Sequence, residues 1–425
     1  HQEGSHDPRH DLYDARERLW VGCLRAMNLV FIGPFAFKPK GTVSARAFLI
    51  ARALVRRGHR VTILMPPYDN LADSGRAWAE DGVRLENMVL RRNDAWHQLT
   101  VPLRMARRAT RLGPDAVHVF KPIGYSGLAA VALRLFSRRP LVVDTDDWEG
   151  KGGWSDVNPY PAPWKALFAW QERWLARRAG AVTVASRCLQ EQVAGFGADP
   201  ARVFYLPNGP DGRWRDLAAI GDEDKARVRA ELGVGEAPFA LYLGHIPQGT
   251  DLDLALEAMA ALGPELAAAR LVVAGVGDGL AGLKERAREL GVQDRVIWTG
   301  WIEHERSHLV VAAADAIVAP FRDTLINRAK CPAKVVAGMA MGKAVVAGGV
   351  GQNVEYIQDG QSGLLAAPGD AHDLARALTA VLSDRELAGR LGAAARRRIW
   401  DEFDWDTRAE QVEAAYRAAG AGRQP

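Results

Sequence analysis

Cysteine is scarce in this sequence: it occurs three times in 425 residues, at Cys23, Cys188 and Cys331. Three widely separated cysteines do not form a disulfide framework or a zinc cluster, so we expect a reduced, cytoplasmic protein. No apolar run reaches the roughly 18 residues that a membrane-spanning helix needs. The first residues are polar throughout, so no secretory leader is expected.

The charges do not favour a nucleic-acid partner. Lys and Arg number 55 and Asp and Glu 51, and the formal net charge is +4. Basic residues form short clusters at 104–111 and 177–178, without the long basic stripe or the aromatic interleaving of a nucleic-acid-binding protein. Solvated helix faces are the favoured interpretation of these clusters, and an anionic membrane surface or a phosphate ligand is the alternative.

Apolar, strand-like runs alternate with helical runs from Met27 onward. A first series of strands extends from NLVFIG to VFYLPNG, and a second from FALYLGH to SGLLAAPGD, with a polar stretch at 209–236 between them. Strands that are apolar throughout are typical of parallel sheets covered by helices on both faces. The sequence therefore predicts an α/β protein with two Rossmann-like, doubly wound domains that face each other across a cleft.

We expect residues 1–26 to be an N-terminal extension, residues 27–210 to form the first domain and residues 211–404 the second. In folds of this kind ligands bind where the carboxyl ends of the strands meet. The loops that follow the strands are therefore the places where functional residues are expected.

A glycine pattern, Gly277-x-Gly279-x-x-Gly282, follows one strand of the second series. A dinucleotide-binding loop would place an acidic residue about 20 positions further on. The chain has Ile297 and Trp298 there. We therefore interpret the glycines as a strand–turn–helix connection rather than as an NAD site.

Four residues at the end of a first-domain strand, DTDD, include the pair Asp144-x-Asp146. Two acids in this spacing can chelate a divalent ion, and a polar strand-end turn is the interpretation that we favour. Trp148 and Trp154 follow, with glycines between them, and indicate a mobile loop that stacks on an apolar or sugar face.

Aromatic residues recur at near-helical spacing around Trp164 and Phe168. A helix that faces the core is the favoured interpretation, and a helix lying in a membrane interface is the alternative.

Gly41 stands directly before a helical run, after Lys38 and Lys40. A helix N-terminus offers unpaired N–H groups, and glycine allows a ligand to approach the backbone closely. This arrangement predicts a diphosphate site. Residues 333–370 have the most specific order of elements: a helix that stops at Gly342, a buried strand, a glycine turn, a short helix around Glu355, a further strand and a Pro-Gly-Asp turn.

Together these segments resemble the retaining glycosyltransferases of the GT-B fold, in glycosyltransferase family four. The resemblance rests on GTVSARAFLIARALVRRGHRVTIL, PDAVHVF, RRAGAVTVAS, RVFYLPNGPD, LYLGHIPQGTDLDLALEAM, LVVAGVGDG, DRVIWTG and the segment 333–370, and it extends from Met27 to about Gly420. It implies a nucleotide-diphosphate sugar as donor, no obligatory cofactor or metal, and a glycan or lipid-linked acceptor. It also implies an acceptor-binding first domain, a nucleotide-sugar-binding second domain, and a C-terminal helix, 405–425, that crosses back to the first. The Trp-rich region 148–174 indicates a lipid-linked or an aromatic acceptor, and peripheral membrane contact is a further expectation.

The resemblance assigns roles to individual residues. The predicted catalytic residues are Lys334 and Arg328 for the leaving diphosphate, and Asp146 and Asp147 on the acceptor side. The predicted donor-binding residues are Gly41, Gly244, His245, Gly277, Lys330, Ala337 and Glu355. The predicted acceptor-binding residues are Lys121, Tyr125 and Trp148.

Several positions depart from the family's pattern. Where the family has an Arg and a Lys that clamp the diphosphate, this chain has His245 and Thr250. The family's paired glutamates fall on Ala329 and Ala337, and a histidine that many members place against the sugar falls on Phe120. We expect the basic residues around 328–334 to compensate for the altered clamp, whereas no nearby carboxylate replaces the one missing at 337. The alternative is a weakened or engineered variant, or a non-catalytic sugar-nucleotide- or glycan-binding paralogue.

Overall fold

The structure, a computed structural model, describes residues 25–38, 41–92, 94–217, 220–247 and 250–421. The predicted extension 1–26 therefore lies outside the described residues, except for Arg25 and Ala26, and so does Lys40. The described chain forms two α/β units, each built around one sheet.

The first sheet has eight strands in the order β3-β4-β2-β1-β5-β6-β7-β8. Its strands are β1 (Asn28–Ile32), β2 (Arg60–Met65), β3 (Ala77–Glu80), β4 (Val83–Asn87), β5 (Ala116–Phe120), β6 (Leu141–Thr145), β7 (Ala181–Val184) and β8 (Val203–Tyr205). Its helices are α1 (Phe48–Arg56), which continues a π-helical turn at Thr42–Ala47, then α2 (Ala95–Arg111), α3 (Gly124–Phe136), α4 (Trp154–Val157), α5 (Ala162–Arg178) and α6 (Arg187–Gly195).

The second sheet has six strands in the order β11-β10-β9-β12-β13-β14. Its strands are β9 (Phe239–Leu243), β10 (Arg270–Ala274), β11 (Val296–Gly300), β12 (Ala316–Ala319), β13 (Ala344–Gly348) and β14 (Leu364–Ala366). The helices are α7 (Trp214–Leu217), α8 (Asp222–Glu231), α9 (Leu252–Ala261), α10 (Leu280–Glu289), α11 (His304–Ala313), α12 (Leu325–Ala329), α13 (Ala333–Ala340), α14 (Gln352–Tyr356), α15 (Ala371–Ser383), α16 (Arg385–Glu402) and α17 (Trp405–Ala418). Short 3₁₀ turns occur at Leu71–Asp73, Pro200–Arg202, Pro264–Leu266 and Gln293–Arg295.

Strand pairing is parallel throughout both sheets except between β3 and β4. The fold class predicted from the alternating pattern is confirmed. The antiparallel hairpin β3–β4 was not predicted, although its turn carries a recognisable signal. Asp81 and Gly82 have φ angles of 47° and 79°, and an Asp-Gly pair with positive φ at both positions is typical of a two-residue hairpin turn.

Each sheet separates two buried apolar layers. One layer of the first sheet packs against α1 and α17, and the other against α2, α3, α5 and α6. The second sheet is covered by α9 and α15 on one face and by α13 and α16 on the other. Strands covered on both faces have no solvent side, which explains why their sequences are apolar without alternation.

The C-terminal helix α17 lies against the first sheet's layer, packed on α1 and β7. Trp405 and Tyr416 are among its fully enclosed side chains. Glu413 of this helix accepts hydrogen bonds from Arg57 at 2.7 and 3.1 Å and lies 3.0 Å from the His59 ring. The end of the chain is therefore anchored on the domain that contains its first strand.

No helix within the described part of the chain is long and apolar enough to cross a membrane.

Candidate functional site

Two lysines lie close together where the strands of the second sheet end. Lys330 follows the short helix α12, and Lys334 is the second residue of α13. Both ammonium groups approach the Phe321 ring, at 5.4 and 6.0 Å from its centre. Lys334 also lies 3.9 Å from the centre of the Tyr242 ring, and the Lys330 ammonium donates to Asn327 at 3.1 Å. The two lysines are close in sequence: Lys330 caps the end of α12, and Pro332 is the N-cap of α13, which begins at Ala333.

The lysine pair carries uncompensated positive charge. Among the described residues, no carboxylate lies within 4 Å of either ammonium. Burial and then the neighbouring Lys334 lower the pKa of Lys330. Burial, the largest single effect, raises the pKa of the Tyr242 phenol, but Lys334, Thr250 and Lys330 act together in the opposite direction and the pKa lies below its usual value. Two cations that lack an acidic partner suit an anionic ligand such as a diphosphate.

The glycines after β9 and β10 bring two loops into backbone contact beside this pair. Gly244, with φ at 140°, donates its N–H to the carbonyl of Ala274 at 2.9 Å. A Cβ atom at Gly277 would collide with the carbonyl of Ile246. The geometry at Gly277 is that of a packed turn, in agreement with the strand–turn–helix interpretation. His245, in the same region, has an exposed side chain.

Gly41 borders open space in the first domain. The nearest atom to a Cβ placed there is Ala45 Cβ at 4.0 Å. Packing therefore does not require glycine at this position, and the backbone is accessible to a ligand. The next residue, Thr42, donates its hydroxyl to Asp146 at 2.9 Å, which connects the Gly41 loop to the acidic residues that follow β6.

Those acidic residues surround Lys121, which follows β5. The Lys121 ammonium lies 2.9 Å from Asp147 and 2.5 Å from Glu149. Lys121 has a φ of 53°, a strained backbone conformation for a residue other than glycine. Burial raises the pKa of Asp146 to about 6 and that of Glu149 to about 7, although Lys121 acts in the opposite direction on both.

Asp144, unlike Asp146 and Asp147, pairs with an arginine of the first domain. Both of its carboxylate oxygens accept from Arg46 at 2.7 Å, and one also accepts from Thr183 at 2.6 Å. Asp144 is fully buried, and its pair with Arg46 holds the π-helical turn before α1 to the sheet, so its carboxylate oxygens are already occupied by protein donors. No group of three or more His, Cys, Asp or Glu side chains suited to a metal occurs in the described ranges.

The predicted acceptor-side residues surround the same loop. Tyr125, at the start of α3, stacks on Tyr68 with ring centres 5.4 Å apart. Trp148 donates its ring N–H to the carbonyl of Lys151 at 3.0 Å and thereby closes the loop on itself. Trp154 donates to Asp147 at 3.1 Å.

The predicted donor and acceptor groups meet across the cleft at Trp154. The Lys330 ammonium of the second domain lies 4.9 Å from the centre of this ring. The ring N–H of Trp154 donates to Asp147, and Asp147 forms an ion pair with Lys121. The structure therefore brings Lys330, Lys334, Asp147 and Lys121 into one region between the sheets.

Arg328 and Glu355 lie together elsewhere. Arg328 pairs with Asp323 through two contacts of 2.5 and 2.7 Å. Arg328 and Glu355 line a groove of about 840 Å³ that also contacts Trp148 and α6. In this conformation Arg328 does not join the lysine pair, and the roles of both residues stay predictions.

The two positions where the family has glutamate are packed as apolar core. Ala329 is fully buried, and its carbonyl accepts from Ser186 of the first domain at 2.7 Å. Ala337 is 4% exposed within the apolar layer beneath α13.

Sequence reasoning missed Asn208, which connects the two units. Its side chain donates to the carbonyl of Cys331 at 2.8 Å and accepts from Arg46 at 2.8 Å. Its backbone carbonyl accepts from the Tyr356 hydroxyl at 2.7 Å. The only sequence signal was the Asn-Gly pair that follows the last strand of the first series. Such a pair is typical of an ordinary turn. Tyr242 was also missed, because an aromatic residue inside a buried strand reads as core.

Comparison with known proteins defines the family. The model of the group 1 glycosyl transferases matches residues 224–398, and that of the glycosyl transferase 4-like domain matches residues 41–209. Together the two matches span most of the chain, which belongs to the family 4-like, group 1 glycosyltransferases of the GT-B fold. The resemblance found in the sequence is thereby confirmed.

Relatives of different specificity share this similarity. The GDP-mannose-dependent alpha-(1-6)-phosphatidylinositol monomannoside mannosyltransferase of Mycobacterium tuberculosis is 26% identical over 410 residues, which are 93% of this chain and 100% of that protein. The D-inositol 3-phosphate glycosyltransferase of Geodermatophilus obscurus is 34% identical over 240 residues, or 54% of this chain and 50% of that protein. The crystal structure of Anabaena Alr3699/HepE in complex with UDP and glucose has a TM-score of 0.71 at 19% identity, covering 91% of this chain and 98% of that one.

Proposed function

We propose that this glycosyltransferase transfers a hexose from a nucleotide-diphosphate sugar to a glycan or lipid-linked acceptor, with retention of configuration. The observation that carries the proposal is the pair Lys330 and Lys334, which has no acidic partner among the described residues and faces the first domain across the cleft. Charge grows on the leaving diphosphate during sugar transfer, and preset cations stabilise it.

The proposed division of labour follows the two sheets. Residues 211–404 bind the donor, and residues 27–210 with the returning segment 405–425 bind the acceptor. Gly41, Gly244, His245, Gly277 and Glu355 line the donor, and the buried Ala337 lies behind them as the position where a donor-binding carboxylate is missing. Arg328 joins the lysines when the donor is bound. Tyr125, Trp148, Lys121, Asp146 and Asp147 bind the acceptor. A divalent metal is not required, because the lysines supply the positive charge.

Retention is supported by the relatives. The mycobacterial mannosyltransferase is named for an alpha-(1-6) linkage, and an α-linked product from an α-linked donor is the outcome of a retaining reaction. The phosphatidylinositol acceptor in the same name supports a lipid-linked acceptor here. A reducing, cytoplasmic setting is part of the proposal, and the free thiols of Cys188 and Cys331 are consistent with it.

Calorimetric titration tests the donor assignment. UDP-, GDP- and ADP-sugars are titrated into the protein while donor hydrolysis is followed, and proton NMR of a transfer product reports the anomeric configuration. We expect one donor to bind, turnover to occur and the product to keep the donor's configuration. Binding of a donor without turnover, by this chain and by Ala337→Glu alike, would instead identify a non-catalytic paralogue. Failure of every donor to bind would refute the transferase assignment.

A further inference from the structure

Three helices lie side by side on one face of the first sheet and are almost free of acidic residues. Helices α2, α3 and α5 share the same buried layer. Neither α2 nor α3 contains Asp or Glu, and α5 contains only Glu172. Glu172 is 4% exposed and accepts from the backbone N–H groups of Glu149 and Gly150, both at 3.1 Å. We call the outer side of these helices the α2–α3–α5 face.

Basic residues are frequent on the α2–α3–α5 face. The segments 95–111, 124–139 and 162–178 contain eleven of them: Arg104, Arg107, Arg108, Arg111, Arg134, Arg138, Arg139, Lys165, Arg173, Arg177 and Arg178. Only Arg108 has a carboxylate partner among the described residues, Glu86. The chain as a whole is nearly balanced, with 55 basic and 51 acidic residues. The positive charge of the molecule is therefore concentrated on this face.

The same face exposes large apolar side chains. Trp96, Leu99 and Leu103 are 71%, 60% and 56% exposed, and their spacing of three and four residues places them in one stripe along α2. At the end of α3, Leu135 and Phe136 are 60% and 85% exposed. Trp170 on α5 is 44% exposed. The opposite side of α2 is also apolar, because Val101 and Met105 are buried in the core. Packing within the domain therefore does not account for the outer stripe.

We propose that the α2–α3–α5 face docks on a bilayer that contains anionic phospholipid. Tryptophan, leucine and phenylalanine enter the boundary between headgroups and acyl chains, and arginine attracts anionic headgroups while its aliphatic stem lies along apolar surface. A second copy of this chain does not fit, because a symmetric contact would oppose eleven basic residues with eleven more. A bilayer matches both the apolar stripe and the charge.

The apolar stripe on α2 begins close to the cleft between the two domains. Asp94 caps α2 by accepting from the N–H of His97 at 3.0 Å. Helix α2 follows β4 and therefore begins at the carboxyl edge of the parallel strands, the edge at which Lys121 and Tyr125 follow β5. The Trp96 end of α2 thus lies near the acceptor side of the cleft. Docking there would present the cleft to a lipid-linked acceptor. This last step rests on the proposed function, whereas the docking itself does not.

Vesicle co-sedimentation of the full chain tests the docking. The probes are vesicles of phosphatidylcholine alone and vesicles of phosphatidylcholine mixed with the anionic lipid phosphatidylglycerol, whose negative surface potential attracts basic residues. One variant combines Trp96→Ser, Leu99→Ser and Leu103→Ser, and a second combines Arg104→Gln, Arg107→Gln and Arg111→Gln. The matched controls lie in the second domain: Trp301→Ser, and Arg385→Gln with Arg390→Gln and Arg397→Gln.

We expect at least ten-fold tighter binding to the anionic vesicles, weakened by added salt. The arginine variant should lose roughly five-fold per residue removed, the serine variant at least ten-fold, and the controls nothing. Equal binding to both vesicle types, or a loss that the controls share, would overturn the proposal. So would self-association of the chain, or binding to an acidic protein, without binding to lipid. Donor calorimetry on the same variants should be unchanged, which separates a failure of docking from a failure of the transferase assignment.

Discussion

The Lys334 ammonium lies 3.9 Å from the centre of the Tyr242 ring. Tyr242 belongs to β9, the strand that ends just before Gly244. The ring face attracts the ammonium group and holds it in place without a carboxylate partner. Because Lys334 is also the second residue of α13, its charge adds to the positive end of the helix dipole. This pairing gives the second domain a fixed cation at the edge where a diphosphate would bind.

Removing that cation should weaken donor binding. Lys334→Met keeps the length and apolar stem of the side chain and deletes the charge. A hydrogen bond to a charged group is worth about 1.5–3 kcal/mol, so we expect the dissociation constant of the nucleotide diphosphate to rise about 10- to 150-fold. Isothermal titration calorimetry with the free nucleoside diphosphate measures this directly.

The matched control for this variant is Lys284→Met, an exposed lysine on α10. It should bind the nucleotide as the unchanged chain does. An equal loss in both variants would show that overall charge matters and that Lys334 has no special position.

A carboxylate at position 337 should restore a missing contact. Ala337 lies one turn after Lys334 on α13, so Ala337→Glu places an acid on the same side of the helix. Its cost is the burial of a charged group in an apolar layer, which we expect to lower the free energy of unfolding without donor. If the glutamate binds the donor, affinity should rise about ten-fold, and donor addition should recover the lost stability. Ala337→Gln is the control, and an equal gain for glutamine would show that the negative charge plays no part.

Acidic pH should affect the Asp146 region in a defined direction. Burial raises the pKa of Asp146 from 3.8 to about 6. The folded chain then holds a proton that the unfolded chain has lost, so this residue's contribution to stability declines as pH rises from about 4 through 6. Asp146→Asn cannot ionise, and its stability relative to the unchanged chain should therefore increase between pH 4 and pH 7.

Urea denaturation at both pH values checks this prediction. The exposed Asp278→Asn serves as control and should show the same difference from the unchanged chain at both. A pH-independent effect of Asp146→Asn would mean that Asp146 ionises normally in the folded protein.

The architecture was accessible from the sequence because apolar strands and amphipathic helices are local patterns. The buried strands around Val30, Val143 and Val346 lie where their runs of apolar residues predicted them. The hairpin β3–β4 was not predicted from the sequence. Strand β3 lies at the sheet edge with alternating exposure, and its short sequence AWAE contains few residues that favour strands.

The site was only partly accessible, because its geometry depends on contacts distant in sequence. Strand-end positions identified Lys121, Asp147 and Lys334. The sequence did not indicate that Trp154 would lie between Asp147 and Lys330, which are 183 residues apart in the numbering of the chain. The sequence also did not indicate that both carboxylate oxygens of Asp144 would accept from Arg46. These two residues are distant in sequence, and their pair joins β6 to the helical segment after β1.

Acid should also weaken the anchoring of the C-terminal helix, through His118. This residue is 1% exposed, and its ring lies 3.2 Å from the Thr183 hydroxyl and 3.1 Å from the hydroxyl of Tyr416 on α17. Burial lowers its pKa from 6.5 to about 4, with the nearby Asp144 and Arg46 acting in opposite directions. The unfolded chain therefore takes up a proton first as pH falls. Stability that is present above pH 6.5 is lost as pH falls towards 4, by about 3 kcal/mol in total.

The comparison that isolates this effect uses His118→Gln beside the exposed His372→Gln. We expect His118→Gln to be less stable than the unchanged chain at pH 7 and to lose less stability on going to pH 4, while His372→Gln follows the unchanged chain throughout. Because His118 contacts Tyr416, hydrogen exchange in residues 405–418 of the unchanged chain should accelerate on acidification before exchange in the second sheet does. If exchange in both regions accelerates together, or if His118→Gln keeps the full pH dependence, the protonation of His118 is not what loosens the helix, and the nearby pairs of Glu413 with Arg57 and His59 become the groups to test.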